Sequence, residues 1–448
     1  RALAIENLYF LNKENLCSTV EPMIYDMDQQ VTTAAFRYLL KRYQQNPVEL
    51  LDKYLSVEDN TIANAALIGL SMELRNNRVM QDRFGLEQRI ENTLAQLSPN
   101  YTDQENIHKI LAILETIGNA KVESCYPVIR EHLYSDNVLI ANTAILAASK
   151  TLDKEFIEPI VSRLSGKETR KSAMEALYYY GEPIMDILFE GLRKESIDPD
   201  DSAYVVMVIG KFNSQKAINT LMKLTGDMEH TVKIEAIEAL KHLKWKYPHL
   251  QIRDRFIVDK ILECHLYQST LSVIHTQIVL QYKKNPEKME TKEENEARNG
   301  LIHLLELRLD RQLKRIFQFL GVKYPPQDVD PILNAILKGQ EEQRLHAIEF
   351  LDNILDIQLK KELIPVAESI FQVGVISEEN LKNLNVKVLS ESESYLALLK
   401  RKDIKLKLAV LYLIEKTKDP KFTPLLEMVL ADPNEKARKK AAEILGNH

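Results

Sequence analysis

A helical hairpin that recurs about every 31 residues constrains this chain more than any other feature of its sequence. Its clearest copy is DPNEKARKKAAEILG at 432–446. An acidic residue and a proline open the stretch, and Ala437 takes the first apolar slot. Ala441, Ala442 and Leu445 follow at helical spacing, and Gly446 is expected to end the helix in a left-handed conformation. The preceding 422–430 segment reads as a second amphipathic helix, antiparallel to the first. One such hairpin cannot bury both of its apolar faces, so it needs a neighbour on each side.

With Ala437 as the marker, equivalent slots fall at Val31, Ile62, Val138, Val232, Leu345 and Leu406. Val31 and Ile62 stand 31 residues apart, as do Leu406 and Ala437. Two longer intervals exceed a whole number of steps, and polar stretches at 97–106 and 284–297 accommodate the excess as loops. Pro127, Pro159, Pro183 and Pro424 fall near the beginnings of first helices, where a missing N–H costs nothing. The stretch from 245 to 326 lacks the small-residue signature and reads as longer helices over 253–282 and 295–320. The expected organisation is therefore hairpins over 1–244, an irregular segment over 245–326, and hairpins again over 327–448.

The pattern at 432–446, with related versions at 227–240 (DMEHTVKIEAIEAL) and 168–181 (ETRKSAMEALYYYG), resembles the short bacterial form of the HEAT repeat. The tryptophan and Gly-Tyr settings of a tetratricopeptide array and the Thr-Pro-Leu-His of ankyrin are absent. The resemblance implies an all-α, right-handed superhelical solenoid of roughly a dozen helix pairs. A narrower resemblance covers 304–355, carried by Glu306, Arg308, Arg315, Leu320-Gly321, the Tyr324-Pro325-Pro326 turn and the block from Ala347 to Asn353. That stretch is similar to the HEAT region of bacterial fusion proteins in which a nucleotide-translocase-type transporter domain precedes the repeats. It implies a cytoplasmic domain tethered to the inner membrane through a domain N-terminal to it. The absence of an initial Met, and of a polar capping helix after Gly446, fits an excised part of a longer protein.

Composition limits what such a scaffold can bind. A net charge of −6 weighs against nucleic acid, whose phosphates demand a large basic surface. Cys17, Cys125 and Cys264 are far apart and form no CxxC pair, so they read as buried thiols of a reducing compartment. The first 16 residues are too charged for a signal peptide, and no apolar run reaches the ~18 residues of a membrane span.

No phosphate loop, dinucleotide fingerprint, HExxH or nucleophile elbow occurs, so neither a catalytic nor a cofactor-binding residue is assigned. His265 and His275 lie ten apart on one expected helix, about 80° off a common face, so no metal site is assigned there. The acidic run 287–298 reads as a solvated loop, and the sequon Asn100-Tyr101-Thr102 as chance.

Tyr178, Tyr179 and Tyr180 span about 200° of a helix, so at least one ring must leave the apolar stripe. The plain expectation is two rings in the core and one outside; the functional one is an aromatic partner contact. Arg438, Lys439 and Lys440, with the Lys400-Arg401-Lys402 cluster, read as solvated helix surface or as a site for an acidic partner. The leading expectation is a non-catalytic scaffold that binds a protein, attached to a membrane transporter domain. The rival is a free-standing HEAT protein that binds nucleic acid or acts as a lyase-like or repair enzyme.

Overall fold

The computed structural model describes residues 1–11, 15–42, 47–57, 59–97, 103–226, 228–262, 265–283, 292–369 and 388–446. Within them the chain is helical and contains no strand. It divides into two compact units, Arg1–Ala239 and Leu240–His448.

In the first unit the helices are α1 (Ala2–Phe10), α2 (Cys17–Val20), α3 (Gln29–Arg42), α4 (Pro47–Leu55), α5 (Asn60–Glu73), α6 (Arg78–Arg83), α7 (Leu86–Ala95), α8 (Gln104–Ala120), α9 (Tyr126–His132) and α10 (Val138–Thr151). They continue with α11 (Ile157–Val161), α12 (Arg170–Tyr179), α13 (Ile184–Arg193), α14 (Pro199–Gly210) and α15 (Gln215–Leu224), and the unit ends within α16 (His230–Lys246). The long members pack in succession, α3 on α5, α5 on α8, α8 on α10, α10 on α12 and α12 on α14. The short α4, α7, α9 and α11 each pack on the long helix that follows. Small residues permit the close approach: Ala65, Ala112, Ala141, Ala144 and Ala148 are fully enclosed. A Cβ at Gly118 would lie 2.7 Å from the Cα of Ala147, so the α8–α10 crossing requires glycine there.

Local chemistry starts several of these helices in the same way. The side chains of Asp28, Asp59, Asn137, Asp403 and Asn434 each accept a hydrogen bond from the backbone N–H two residues on, the geometry of an N-cap. Three residues after each cap stands a buried apolar side chain: Val31, Ile62, Ile140, Leu406 and Ala437. This corrects two marker slots. Val138 is the first residue of α10 and only half-buried, and Ile140 fills its slot. Leu345 is 55% exposed, because its helix buries Ala347, Ile348 and Leu351 instead.

The helix ends also differ from expectation. Gly446 is the last residue of its helix, and positive φ occurs instead at Lys121, Leu152 and Lys418, one residue past α8, α10 and a helix of the second unit. After each comes a short 3-10 turn that buries Cys125, Phe156 or Phe422.

The second unit holds α17 (Asp254–Leu262), α18 (His265–Lys283), α19 (Lys292–Lys323), α20 (Pro326–Lys338), α21 (Glu341–Ile354), α22 (Ile357–Ser369), α23 (Glu391–Leu399), α24 (Ile404–Thr417), α25 (Thr423–Val429) and α26 (Glu435–Gly446). The helix expected over 253–282 is helical over Asp254–Leu262 and His265–Lys283, with 263–264 outside the described residues, and α19 is 32 residues long. It packs on α17, α18, α20 and α24. Its Leu301 and Leu305 join Leu398, Val410, Leu413, Phe422 and Leu426 in one core that extends to Ala437, Ala441 and Ile444 of α26. Ile444, and not Ala442, completes that stripe, since position 442 lies about 140° round the helix from Ala437. No described helix is long and apolar enough to cross a membrane.

Candidate functional site

The tyrosine run sits where α12 ends. Ala173, Ala176 and Leu177 form the buried stripe of α12, and Tyr180 follows Leu177 by three residues, on the same side. Tyr180 is half-buried and donates its hydroxyl proton to the Asp153 carbonyl at 2.8 Å. Burial, with Asp153 and Tyr126 nearby, pushes its phenol well above the usual range. Tyr178 and Tyr179 project instead, 44% and 46% exposed. The expectation of two rings inside and one outside is therefore reversed. Tyr178 rests on Phe212 with ring centroids 4.7 Å apart. The Tyr179 hydroxyl accepts from the Arg75 guanidinium at 3.1 Å, joining residues 104 apart in sequence. The neighbours of α12 add Leu146 of α10 and Met207 of α14 to the exposed apolar side chains.

The basic run in α26 is not uniform. The Arg438 guanidinium donates to the carbonyls of Asp432 and Pro433, at 2.7 and 2.9 Å, and so clasps the loop before its own helix. Arg170 does the same at the start of α12, reaching Leu164 and Ser165 at 2.9 and 3.0 Å. Both arginines span the same six- and five-residue steps, although Arg170 opens its helix and Arg438 is the fourth residue of its own. Lys440 pairs with Glu415 at 2.9 Å, and Lys439 with Glu435 at 2.7 Å on an exposed helical turn. Asp432, the acid that opens the motif, pairs with Lys407 of α24. In the other cluster, Arg401 turns inward and donates to Thr270 and Ser269 of α18, at 2.9 and 3.2 Å.

The acidic run 287–298 falls partly outside the described residues; from 292 onward it is helix. There Glu293 pairs with Lys416 at 2.8 Å, and Arg298 is completely buried. The Arg298 guanidinium donates to Gln277 of α18 at 2.6 Å and lies 3.5 Å from Glu294 and 3.3 Å from Glu391 of α23. Lys421 pairs with the same Glu391 at 2.8 Å, and Tyr395 donates to it at 3.0 Å. Sequence reading missed this network, although the i, i+4 spacing of Glu294 and Arg298 beside buried Ala297 and Leu301 marks a helix.

His275 is buried, while Cys264 and the sequon at 100–102 lie outside the described residues. Cys125 is buried and Cys17 only half-buried, both as free thiols. Among the described residues, no group of three His, Cys, Asp or Glu side chains is placed to hold a metal ion.

No protein-family model and no curated protein matches this chain. Among solved structures, an engineered protein is similar over 91% of this chain and 100% of its own, at 15% identity and a TM-score of 0.26. A likeness at that score fixes neither fold nor function.

Proposed function

We propose that this chain is a non-catalytic interaction scaffold, an α-solenoid of short HEAT-like repeats that presents the exposed faces of its long helices to a protein partner. The observation that carries the reading is the repeated local device. Two arginines, 170 and 438, clasp their preceding loops through the same spacing, and five Asx caps precede a buried apolar residue by the same three positions. Each long helix in the first unit then packs on the next. An array of that kind has little enclosed space for substrate and much lateral surface. Tyr178, Leu146 and Met207 supply the aromatic and apolar contacts that partner surfaces favour. The resemblance of 304–355 to translocase-linked repeats adds a tethered membrane domain as the setting for that partner.

A photo-crosslinking residue at Tyr178, with a control at Lys439, tests the reading in cells that make the protein naturally. The expected result is reproducible capture of one protein from position 178 alone. Equal capture from both positions, or from neither, would sink it.

A further inference from the structure

The first unit contains an open cleft of about 590 Å³ where α1 lies against α3, walled also by α5 and by Glu115 of α8. Its apolar lining comes from Ile68 and Met72 of α5 and from Leu3 of α1, which stands 70% exposed. Three charged side chains reach it: Glu6, Arg37 and Glu115. Arg37 is already matched, its Nε 2.9 Å from the Glu73 carboxylate and its guanidinium 4.9 Å from the centre of the Tyr9 ring. Glu6 and Glu115 make no hydrogen bond or ion pair with any described residue. Glu6 is exposed and Glu115 half-buried: burial pushes the Glu115 carboxyl up, and the charge of Lys150 on α10 offsets that only in part. The cleft therefore carries two carboxylates without a hydrogen-bonded partner beside an apolar wall.

Enclosing a carboxylate without a partner is unfavourable, and an arriving cation relieves that cost. Lysine and arginine combine an apolar stem with a charged head, which matches a wall of Ile68 and Met72 below two acids. The cleft is open along one side and rimmed by exposed Leu3, a shape suited to a side chain carried on another polypeptide. We infer that this cleft is the docking pocket for a lysine or arginine side chain of a protein partner, held by Glu6 and Glu115 with its stem on Ile68 and Met72. The inference rests on the scaffold reading and gives its partner a chemistry.

The test titrates Nα-acetyl-lysine N-methylamide, and its neutral isostere Nα-acetyl-norleucine N-methylamide, into the whole chain labelled at methionine methyl groups. The Met72 methyl resonance is the readout. The lysine amide is expected to shift it saturably and the norleucine amide is not. Glu115→Gln and Glu6→Gln each weaken the lysine titration about threefold to fivefold, as the loss of a partly exposed ion pair does. Glutamine keeps the shape, and an unchanged methionine spectrum of the free variants confirms their fold. Equal shifts from both amides, or an unaltered lysine titration in the double variant, would overturn the inference. The crosslink at Tyr178 reports separately: its failure with an intact Met72 titration removes the scaffold reading and leaves the cleft, and the converse removes only the cleft.

Discussion

Arg438, Lys439 and Lys440 are adjacent in sequence and chemically alike, yet their surroundings separate them. Helical phase points Arg438 back along the loop, where a planar guanidinium can reach two carbonyls at once, and leaves Lys439 over water. Arg438→Ala is expected to cost about 1–2 kcal/mol in urea denaturation, the scale of a lost pair of charge-assisted hydrogen bonds. Lys439→Ala is expected to stay within about 0.5 kcal/mol, since its pair with Glu435 is exposed. Equal effects from the two variants would contradict the clasp. The same separation applies to the tyrosines: the 100° step between neighbours was legible in sequence, but the side on which the core lay was not. Leu177 and Tyr180 share the buried side, and this leaves Tyr178 and Tyr179 as the projecting pair.

At the scale of the element, α19 carries most of what sequence reading missed. Its first turns read as an acidic loop because Glu293, Glu294 and Glu296 outnumber the apolar residues there. The helix is stabilised by partners remote in sequence: Lys416 for Glu293, and α18 and α23 around Arg298. A buried guanidinium between two carboxylates is tolerable only while every member is present. Arg298→Met is expected to destabilise the second unit by about 3–5 kcal/mol, because it leaves Glu294 and Glu391 enclosed with less compensation. Trp245 is the chain's one tryptophan, belongs to that unit and donates to the Gly321 carbonyl at 2.9 Å. Its fluorescence therefore reports the transition directly, and an unmoved midpoint would remove the network from the account of stability.

Across the whole molecule, the enclosed carboxylates of the two units titrate in opposite senses. In the second unit burial is the largest single influence on Glu391, Asp403 and Asp432, and it acts upward. Lys421 with Arg298, Arg308, and Lys407 respectively outweigh it and hold all three below their ordinary values of 4.5 and 3.8. Such groups stabilise the fold above their unfolded values, and that contribution is lost as pH falls through the folded ones. In the first unit burial raises Glu115, Asp201 and Glu235. Their folded forms hold protons more tightly than the unfolded chain, so that unit gains stability as pH falls toward 4.5. The expected outcome is a Trp245 urea midpoint that holds from pH 7 to about 5 and declines below about 4.5. Over the same range down to pH 5, amides of α8 gain protection from hydrogen exchange after correction for intrinsic rates. Parallel loss in both units would contradict the assignment of charge partners.

The sequence by itself determined the helical class, the starts of several helices and the spacing of apolar residues within each. All three depend on interactions within a turn or two: an Asx side chain on its own backbone, a proline in the first turn, a stripe at i, i+3 and i+4. Tertiary structure alone decided which of several equivalent side chains is buried, paired or free. It put Ile140 in place of Val138, turned Leu345 outward, and sent Arg401 inward to Thr270 across 131 residues. It also set Arg75 against Tyr179 and committed Arg37 to Glu73, although Arg37 lines the same cleft as Glu115. Those outcomes depend on which distant surfaces meet, and a periodic sequence offers many chemically similar surfaces among which only packing in three dimensions selects.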